Sequence, residues 1–190
     1  MITNDKSITT PEYWNNVYAG KNDNAVVDAS NTVRPPNPFD RFGWVAQYAE
    51  GPCVYGVASG HAHIEKRIQA LHPDWIVIAS DQSVEARKVA NFGRYQIADA
   101  YAINALNKSF NTIICCQAME YLKEQERFLL EAQRVACKLI ITVPIGEMKK
   151  WSQLRIYTEQ NVRQLLEPYG LIEIFERHED LLLVKVKFHD

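Results

Sequence analysis

The sequence predicts an α/β fold of three layers, in which a seven-stranded sheet is mostly parallel and ends in an antiparallel C-terminal hairpin strand. From residue 52 onward, short apolar runs alternate with segments whose apolar residues recur at helical spacing. This alternation is typical of a parallel sheet that helices cover on both faces. With 190 residues the chain is long enough to fill one core, which favours a single sheet domain.

Five of the strands are predicted by apolar runs that turn residues bound. They cover residues 53–57, 75–80, 94–98, 112–116 and 138–143. The polar turn at 178–180 joins two further runs, 171–177 and 181–188, into an antiparallel hairpin. We expect the last of these strands to insert between the fifth and the sixth.

Helices are predicted between the strands, over residues 122–135 and after two capping residues, Ser83 and Thr158, whose hydroxyls accept hydrogen bonds from the first turn. Gly170 is expected to end the last helix. Apolar residues recur at helical spacing in each helix. They are Ile64, Ile68 and Leu71 after the first strand, Val84, Ala86, Val89 and Ala90 after Ser83, and leucines and alanines within 122–135.

Residues 1–50 differ in kind and are predicted to form an N-terminal helical cap or extension of the domain at 51–190. Tyr13, Trp14 and Tyr18 fall in one short predicted helix, and a second lies around 44–48, after the proline-rich segment 33–39. Two interpretations stay open, a packed extension and a lid over a ligand cleft. Segment 144–157, which contains Trp151, is the other candidate cover.

Composition excludes several classes of function. A net charge of −2, with short basic clusters alone, indicates neither nucleic acid nor an anionic membrane as a partner. No apolar run approaches the length of a membrane span or a signal peptide, and four cysteines in apolar segments are predicted to be buried free thiols, so we expect a cytoplasmic protein. His61 and His63 are predicted to begin a helix, where residues two apart diverge, so no metal site is expected.

The segment from Pro52 to Ile68 indicates a nucleotide site. A buried strand runs into a turn of small residues around Gly60 and then into a helix, so backbone N–H groups can approach a ligand closely. Asp81 follows the next apolar run, and a carboxylate at such a strand tip can accept both hydroxyls of a ribose. The separation from Gly60 to Asp81 is close to the roughly 20 residues expected in such units.

The order of these parts resembles that of a small, single-domain class I S-adenosylmethionine-dependent methyltransferase, a family with a Rossmann-like fold. VYGVASGHA is similar to the family's glycine-rich first motif, ASDQS to the second, IADAY to the third and SFNTIICCQAMEYL to the fourth. The resemblance implies S-adenosylmethionine as cofactor and a set of cofactor-binding residues, which are Gly56, Ala58, Gly60, Asp81, Gln82, Asp99, Ala100 and Gln117.

The chain departs from this pattern at four positions. Gly56 stands where the family usually has an acid at the end of the first strand, and Ala58 and Ala62 replace two glycines. Tyr121 stands where many relatives have histidine. The missing acid removes an acceptor that would order the loop or hold the ligand's ammonium group.

The expected function is methyl transfer to a small molecule, a sugar or a glycan precursor. Candidates for removing the acceptor's proton are His61, Glu120 and Tyr121, although each also has a structural interpretation. Candidate acceptor-binding residues are Tyr13, Trp14, Tyr18 and Trp151. Two alternatives stay open, a catalytically inactive methyltransferase-like binding or scaffold module and a nicotinamide-dependent oxidoreductase.

Methylation of nucleic acid is not expected. Nucleic-acid methyltransferases have a motif after the fourth strand that binds the target amine, and this chain has Gln117-Ala118-Met119-Glu120 there instead.

Overall fold

A single seven-stranded sheet forms the centre of the protein. The computed structural model describes residues 10–20, 39–146 and 154–189. Its strands are β1 (Cys53–Gly56), β2 (Ile76–Asp81), β3 (Tyr95–Ile97), β4 (Phe110–Cys116), β5 (Ala136–Pro144), β6 (Gly170–His178) and β7 (Leu181–Phe188). They lie in the order β3-β2-β1-β4-β5-β7-β6, and β7 alone runs antiparallel to its neighbours. The predicted fold class and the insertion of the last strand between the fifth and the sixth are confirmed.

Helices cover both faces of this sheet. They are α1 (Pro11–Tyr18), α2 (Arg41–Ala46), α3 (His63–Leu71), α4 (Val84–Ala90), α5 (Gln125–Val135) and α6 (Glu159–Leu166). Val45 of α2 and Ile68 of α3 pack on Ile114 of β4, whereas Phe128 of α5 and Val162 of α6 belong to the core on the opposite face. The alternation of side chains along each strand divides the core in this way.

Both predicted N-caps are present. The Ser83 hydroxyl accepts a hydrogen bond from the Ala86 N–H at 3.1 Å, and the Thr158 hydroxyl accepts one from the Asn161 N–H at 3.2 Å. Asn161 accepts in return from the Thr158 N–H at 2.9 Å, which completes a capping box. A local pattern therefore predicts where α4 and α6 begin. The helix predicted over 122–135 begins three residues later, at Gln125, without a side-chain cap.

Several predicted core positions are wrong. Leu71, Val84 and Val89 are about half exposed, whereas Ala86 and Ala90 are fully buried. The buried face of α4 belongs to a cluster of alanines with Tyr95, and α4 contacts α1 on one side and the sheet edge on the other. Small side chains suit this close approach, so the branched ones point outward.

The cysteines are free, as predicted, but their burial differs along the chain. Cys115 is buried, Cys53 and Cys116 are half-buried, and Cys137 is exposed. The prediction that all four are buried is therefore wrong for Cys137, whose side chain points out of β5 away from the core.

The role expected of Gly170 is also wrong. The last helix ends at Leu166, before Pro168, and Gly170 is already the first residue of β6. A Cβ at this position would lie 2.1 Å from the carbonyl oxygen of Lys187 in β7. Close approach of the hairpin strands requires a glycine here, not termination of the helix.

The described parts of residues 1–50 are attached to the sheet domain. The Asn15 amide oxygen of α1 accepts from the Ser83 hydroxyl at 2.8 Å, and in α2 the Trp44 indole donates to Glu176 of β6 at 3.0 Å. Phe39 is the one residue of segment 33–39 that the structure describes, and its ring stacks on His178 at 3.6 Å. None of the helices within the described ranges is long and apolar enough to cross a bilayer.

We expect Gly170→Ala to lower the free energy of unfolding by about 1–3 kcal/mol, because the added methyl overlaps the carbonyl of β7. Urea unfolding followed by circular dichroism measures this change. Gly93→Ala is the matched control, since nothing lies within 4 Å of its added Cβ. Equal effects of the two substitutions would contradict the packing of β6 on β7 described above.

Candidate functional site

The loop between β1 and α3 keeps the backbone of a glycine-rich turn with few glycines. Ala58, Gly60 and Ala62 all adopt left-handed conformations, with φ of +51°, +51° and +55°. An alanine in this region costs roughly 1–2 kcal/mol. The strain is offset by contacts that fix the loop, among them the Tyr95 hydroxyl, which donates to the Gly60 carbonyl at 2.8 Å.

Asp81 ends β2 and joins that strand to the loop. One of its carboxylate oxygens accepts from the Gly60 N–H at 3.1 Å and the other from the Ser83 N–H at 2.9 Å. Burial raises the pKa of Asp81, and these backbone donors lower it in part. Three backbone donors, Ser83, Gly60 and Gln82, lower this pKa, and because a carboxylate has about four acceptor sites, acceptor capacity remains for a ligand hydroxyl.

A cavity of about 290 Å³ opens beside Asp81, at the carboxyl ends of β1, β2 and β4. Ligands bind at this edge of open α/β sheets. The cavity is lined by many of the residues that the sequence singled out, namely Trp14, Tyr18, Ala58, Asp81, Gln82, Asp99, Ala100, Gln117 and Tyr121. The fold therefore brings together residues that are spread over more than half of the sequence.

The other predicted site residues lie elsewhere. Gly56, Gly60 and Glu120 do not line the cavity beside Asp81 or a smaller cavity that adjoins it. The same holds for Tyr13 and His61. Gly60 nevertheless reaches the site through its hydrogen bond to Asp81. Trp151 lies outside the described residues.

The three candidate bases differ in position. Tyr121 lines the large cavity, and its ring meets that of Trp14 edge-on at 5.2 Å. Glu120 is 2% exposed, in a 3₁₀ turn formed by Met119–Tyr121. Of the three, Tyr121 is the one whose side chain reaches the cavity.

His61 is not at the start of a helix, as the sequence suggested, because α3 begins at His63. The left-handed Ala62 between them turns the two imidazoles toward each other, and they stack at 5.5 Å. The expectation that they point apart is therefore wrong. Burial and the positive charge of Lys66 lower the pKa of His61.

A second, smaller cavity of about 90 Å³ adjoins the first and shares Val57, Ala58 and Gln117 with it. Its charged lining consists of Arg41 and Glu65, neither of which the sequence analysis had identified. A signal was present, because Glu65 lies three residues before the buried Ile68 and so shares its helix face.

Glu65 is 3% exposed, and its carboxylate accepts a hydrogen bond from the Ser59 hydroxyl at 2.7 Å. Burial raises the pKa of Glu65 to about 7. A Cβ added at Gly56 would lie 1.8 Å from the same carboxylate oxygen. The glycine that ends β1 thus makes room for an acid that comes from α3.

Glu65 should leave a measurable trace in the pH dependence of stability. Because the folded state raises its pKa to about 7, the contribution of Glu65 to stability is full below its unfolded pKa and is lost as pH rises through about 7. As pH rises from about 5 to about 8, the parent should lose free energy of unfolding relative to Glu65→Gln. The expected loss is on the order of 3 kcal/mol. Urea unfolding at both pH values measures the difference. An equal difference in stability between Glu65→Gln and the parent at the two pH values would refute the assignment.

Comparison with known proteins gives one family match. Residues 56–138 match a methyltransferase domain family. No curated protein sequence is significantly similar to this chain. The matched segment begins with Gly56 and ends within β5, so it contains Asp81, Asp99 and Gln117.

Many solved structures share the fold, and three of them illustrate the range of similarity. A SAM-dependent methyltransferase from Aquifex aeolicus is 19% identical, with a TM-score of 0.67 over 80% of this chain and 90% of that one. A protein of echinomycin biosynthesis, described for the conversion of a disulfide bond into a thioacetal group, is 14% identical, with a TM-score of 0.72 over 94% and 93%. The [4+2]-cyclase SpnF is 14% identical, with a TM-score of 0.63 over 77% and 80%. At these identities the likeness shows the fold alone.

Proposed function

We propose that this chain, which has the class I methyltransferase fold and a methyltransferase domain at residues 56–138, binds S-adenosylmethionine and transfers its methyl group to a small-molecule acceptor. One observation carries the proposal. Asp81 and Asp99, the two acids that the family motifs assign to the nucleoside, line the same cavity beside the left-handed loop.

The residues of the large cavity fit the parts of a nucleoside. Asp81 retains acceptor capacity for a ribose hydroxyl, because its backbone donors do not use all of the about four acceptor sites of a carboxylate. Asp99 is held by the Tyr101 N–H, which donates to its carboxylate at 2.9 Å, and it stands beside Ala100 where the adenine is expected. Gln82 and Gln117 supply amide groups at the second and fourth strands.

Methyl transfer from a sulfonium is an in-line displacement, and the cofactor supplies the activated methyl group. The protein's part is to position the acceptor, to exclude water and to take up a proton. The edge-on rings of Trp14 and Tyr121 form one apolar wall of the cavity. Tyr121 is the candidate for hydrogen bonding to the acceptor, because its side chain lies at this wall.

The acceptor proposed is a small molecule, a sugar or a glycan precursor. The net charge of −2 supports this choice, because a protein that tracks phosphates needs a basic surface. The second candidate function is an inactive binding or scaffold module. The two left-handed alanines in the loop between β1 and α3 favour it. The [4+2]-cyclase SpnF, which shares the fold, is named for a reaction other than methyl transfer.

Isothermal calorimetry separates these functions from the nicotinamide-dependent alternative. We expect the parent protein to bind S-adenosylmethionine and S-adenosylhomocysteine and not NAD. Binding of both adenosyl ligands without transfer to any acceptor in a panel of hydroxyl and amine compounds would favour the binding module. Binding of NAD alone would overturn the proposal.

Asp81→Asn should lower the affinity for S-adenosylhomocysteine by more than tenfold, because a carboxylate that accepts ligand hydroxyls contributes roughly 1.5–3 kcal/mol to the binding free energy. Calorimetry measures the dissociation constant, and a thermal melt reports any effect on the loop. Asp74→Asn is the control, since Asp74 is an exposed aspartate outside both cavities. Unchanged affinity in a folded Asp81→Asn protein would rule out the ribose role.

Trp14→Ala distinguishes a cover from a packed extension. Trp14 lines the large cavity and Tyr13, its neighbour in α1, does not. If α1 covers the ligand, Trp14→Ala should weaken S-adenosylhomocysteine by about tenfold through lost apolar contact, while Tyr13→Ala binds it as the parent does. A lower melting temperature with the parent's affinity would identify α1 as packing alone.

A further inference from the structure

The two cavities adjoin each other, with Val57, Ala58 and Gln117 in both linings, and they differ in their charged residues. The large cavity has Asp81 and Asp99, the two acids that suit a nucleoside, and also Lys123 and Glu124. The charged lining of the small cavity is one guanidinium, Arg41, and one carboxylate, Glu65. The two cavities share Gln117, to whose side-chain oxygen Arg41 donates at 3.3 Å. A ligand that extends past Gln117 from the large cavity therefore meets a fixed positive and a fixed negative group.

Glu65 is an unusual group to bury for structural reasons alone. Within the described ranges it takes part in no ion pair, and the Ser59 hydroxyl is its one side-chain donor. Removing a carboxylate from water without a cation is costly. A buried acid of this kind, at the wall of a cavity, provides a site for a ligand cation.

The position of Glu65 connects it with the missing acid of the first motif. A side chain at Gly56 would overlap the Glu65 carboxylate, with its Cβ 1.8 Å from the oxygen that Ser59 also contacts. The two residues thus compete for one volume at the end of β1. This chain fills that volume from the helix instead of from the strand.

We propose that Glu65 binds the ammonium group of the cofactor's amino-acid part, in place of an acid at the end of β1, and that Arg41 binds its carboxylate. The inference rests on the proposed function, because it assigns the second half of the same ligand. Charge-assisted hydrogen bonds of these two kinds recognise an α-amino acid at both ends. Gln117, between the two cavities, orients the guanidinium.

A structural role for Glu65 makes a different prediction. If the carboxylate served merely to fix the loop through Ser59, glutamine would replace it, because an amide oxygen accepts the same hydrogen bond. A site for an ammonium group needs the negative charge. Glu65→Gln therefore separates the two roles while it keeps the shape of the side chain.

Three ligands resolve the assignment by calorimetry. They are S-adenosylhomocysteine, its analogue without the carboxylate, 5′-deoxy-5′-(3-aminopropylthio)adenosine, and 5′-deoxy-5′-methylthioadenosine, which has neither charged group. In Glu65→Gln we expect the affinity for the two ligands with an ammonium group to fall by about tenfold or more. Methylthioadenosine should bind as it does to the parent. In Arg41→Gln we expect a loss for S-adenosylhomocysteine alone.

A rescue variant distinguishes loss of the carboxylate from loss of folding. In Gly56→Asp/Glu65→Ala the strand end supplies the acid. Truncation of Glu65 removes its overlap with the added Cβ, and the other close atom, the Ser59 hydroxyl oxygen at 2.5 Å, must rotate away. We expect this pair to recover most of the preference for S-adenosylhomocysteine over methylthioadenosine that Glu65→Ala loses. Absence of that preference in the parent itself, which requires no substitution, would overturn the proposal.

The pH profile adds an independent readout. Because burial raises the pKa of Glu65 to about 7, the parent should lose affinity for S-adenosylhomocysteine as pH falls below that value, and Glu65→Gln should show a flatter profile. The titratable and charged groups that surround Glu65 are Asp81 of β2, Tyr95 of β3, Cys116 of β4, Lys66 of α3 and, at the small cavity, Arg41 and His63. Methylthioadenosine, titrated in parallel, corrects for their contribution to the large cavity.

The outcomes are distinct. If all three ligands weaken equally in Glu65→Gln, the residue is structural and the inference fails while the proposed function stands. If the parent binds none of the three, the proposed function fails and the inference fails with it. A selective loss for the two ammonium ligands supports both.

Discussion

The carboxylate of Asp81 is the contact on which the site depends. It accepts from Gly60 of the loop after β1 and from Ser83, the residue that caps α4. The Ser83 hydroxyl in turn donates to Asn15, which holds α1. One buried acid thereby links two strands and two helices at the edge where the large cavity opens. The same carboxylate keeps acceptor capacity, so its structural contacts are compatible with the binding role that we propose for it.

The loop between β1 and α3 has alanine at two positions where the methyltransferase motif usually has glycine. Ala58 and Ala62 are left-handed, and the energy they cost is offset by bonds from neighbouring strands. The Ser59 N–H donates to the Ser80 carbonyl at 2.8 Å, and the Ser80 hydroxyl donates to the Gly56 carbonyl at 2.7 Å. The tertiary contacts set the loop's backbone, so the departures from the family pattern leave its shape intact.

Gly56 and Glu65 illustrate how a chemical group can move along the sequence while it keeps its place in space. The strand end has no side chain, and the carboxylate from α3 occupies the volume where one would begin. Ser59 holds that carboxylate by a hydrogen bond. Reading the first motif alone leaves an acid missing, whereas the folded chain has one. Burial of the acid beside a cavity is also what raises its pKa toward neutrality.

Local sequence patterns predict the alternation of strands and helices, the caps at Ser83 and Thr158, the pairing of the hairpin and the place of Asp81 at a strand end. These features depend on residues within a few positions of one another, so local spacing and side-chain chemistry predict them. Other features follow from tertiary packing. Val84, Val89 and Cys137 are exposed, and His61 stacks on His63. Gly170 allows the close approach of β7, and Glu65 lines the small cavity. Each of these outcomes depends on volume and distance between elements far apart in the chain, which no local pattern contains.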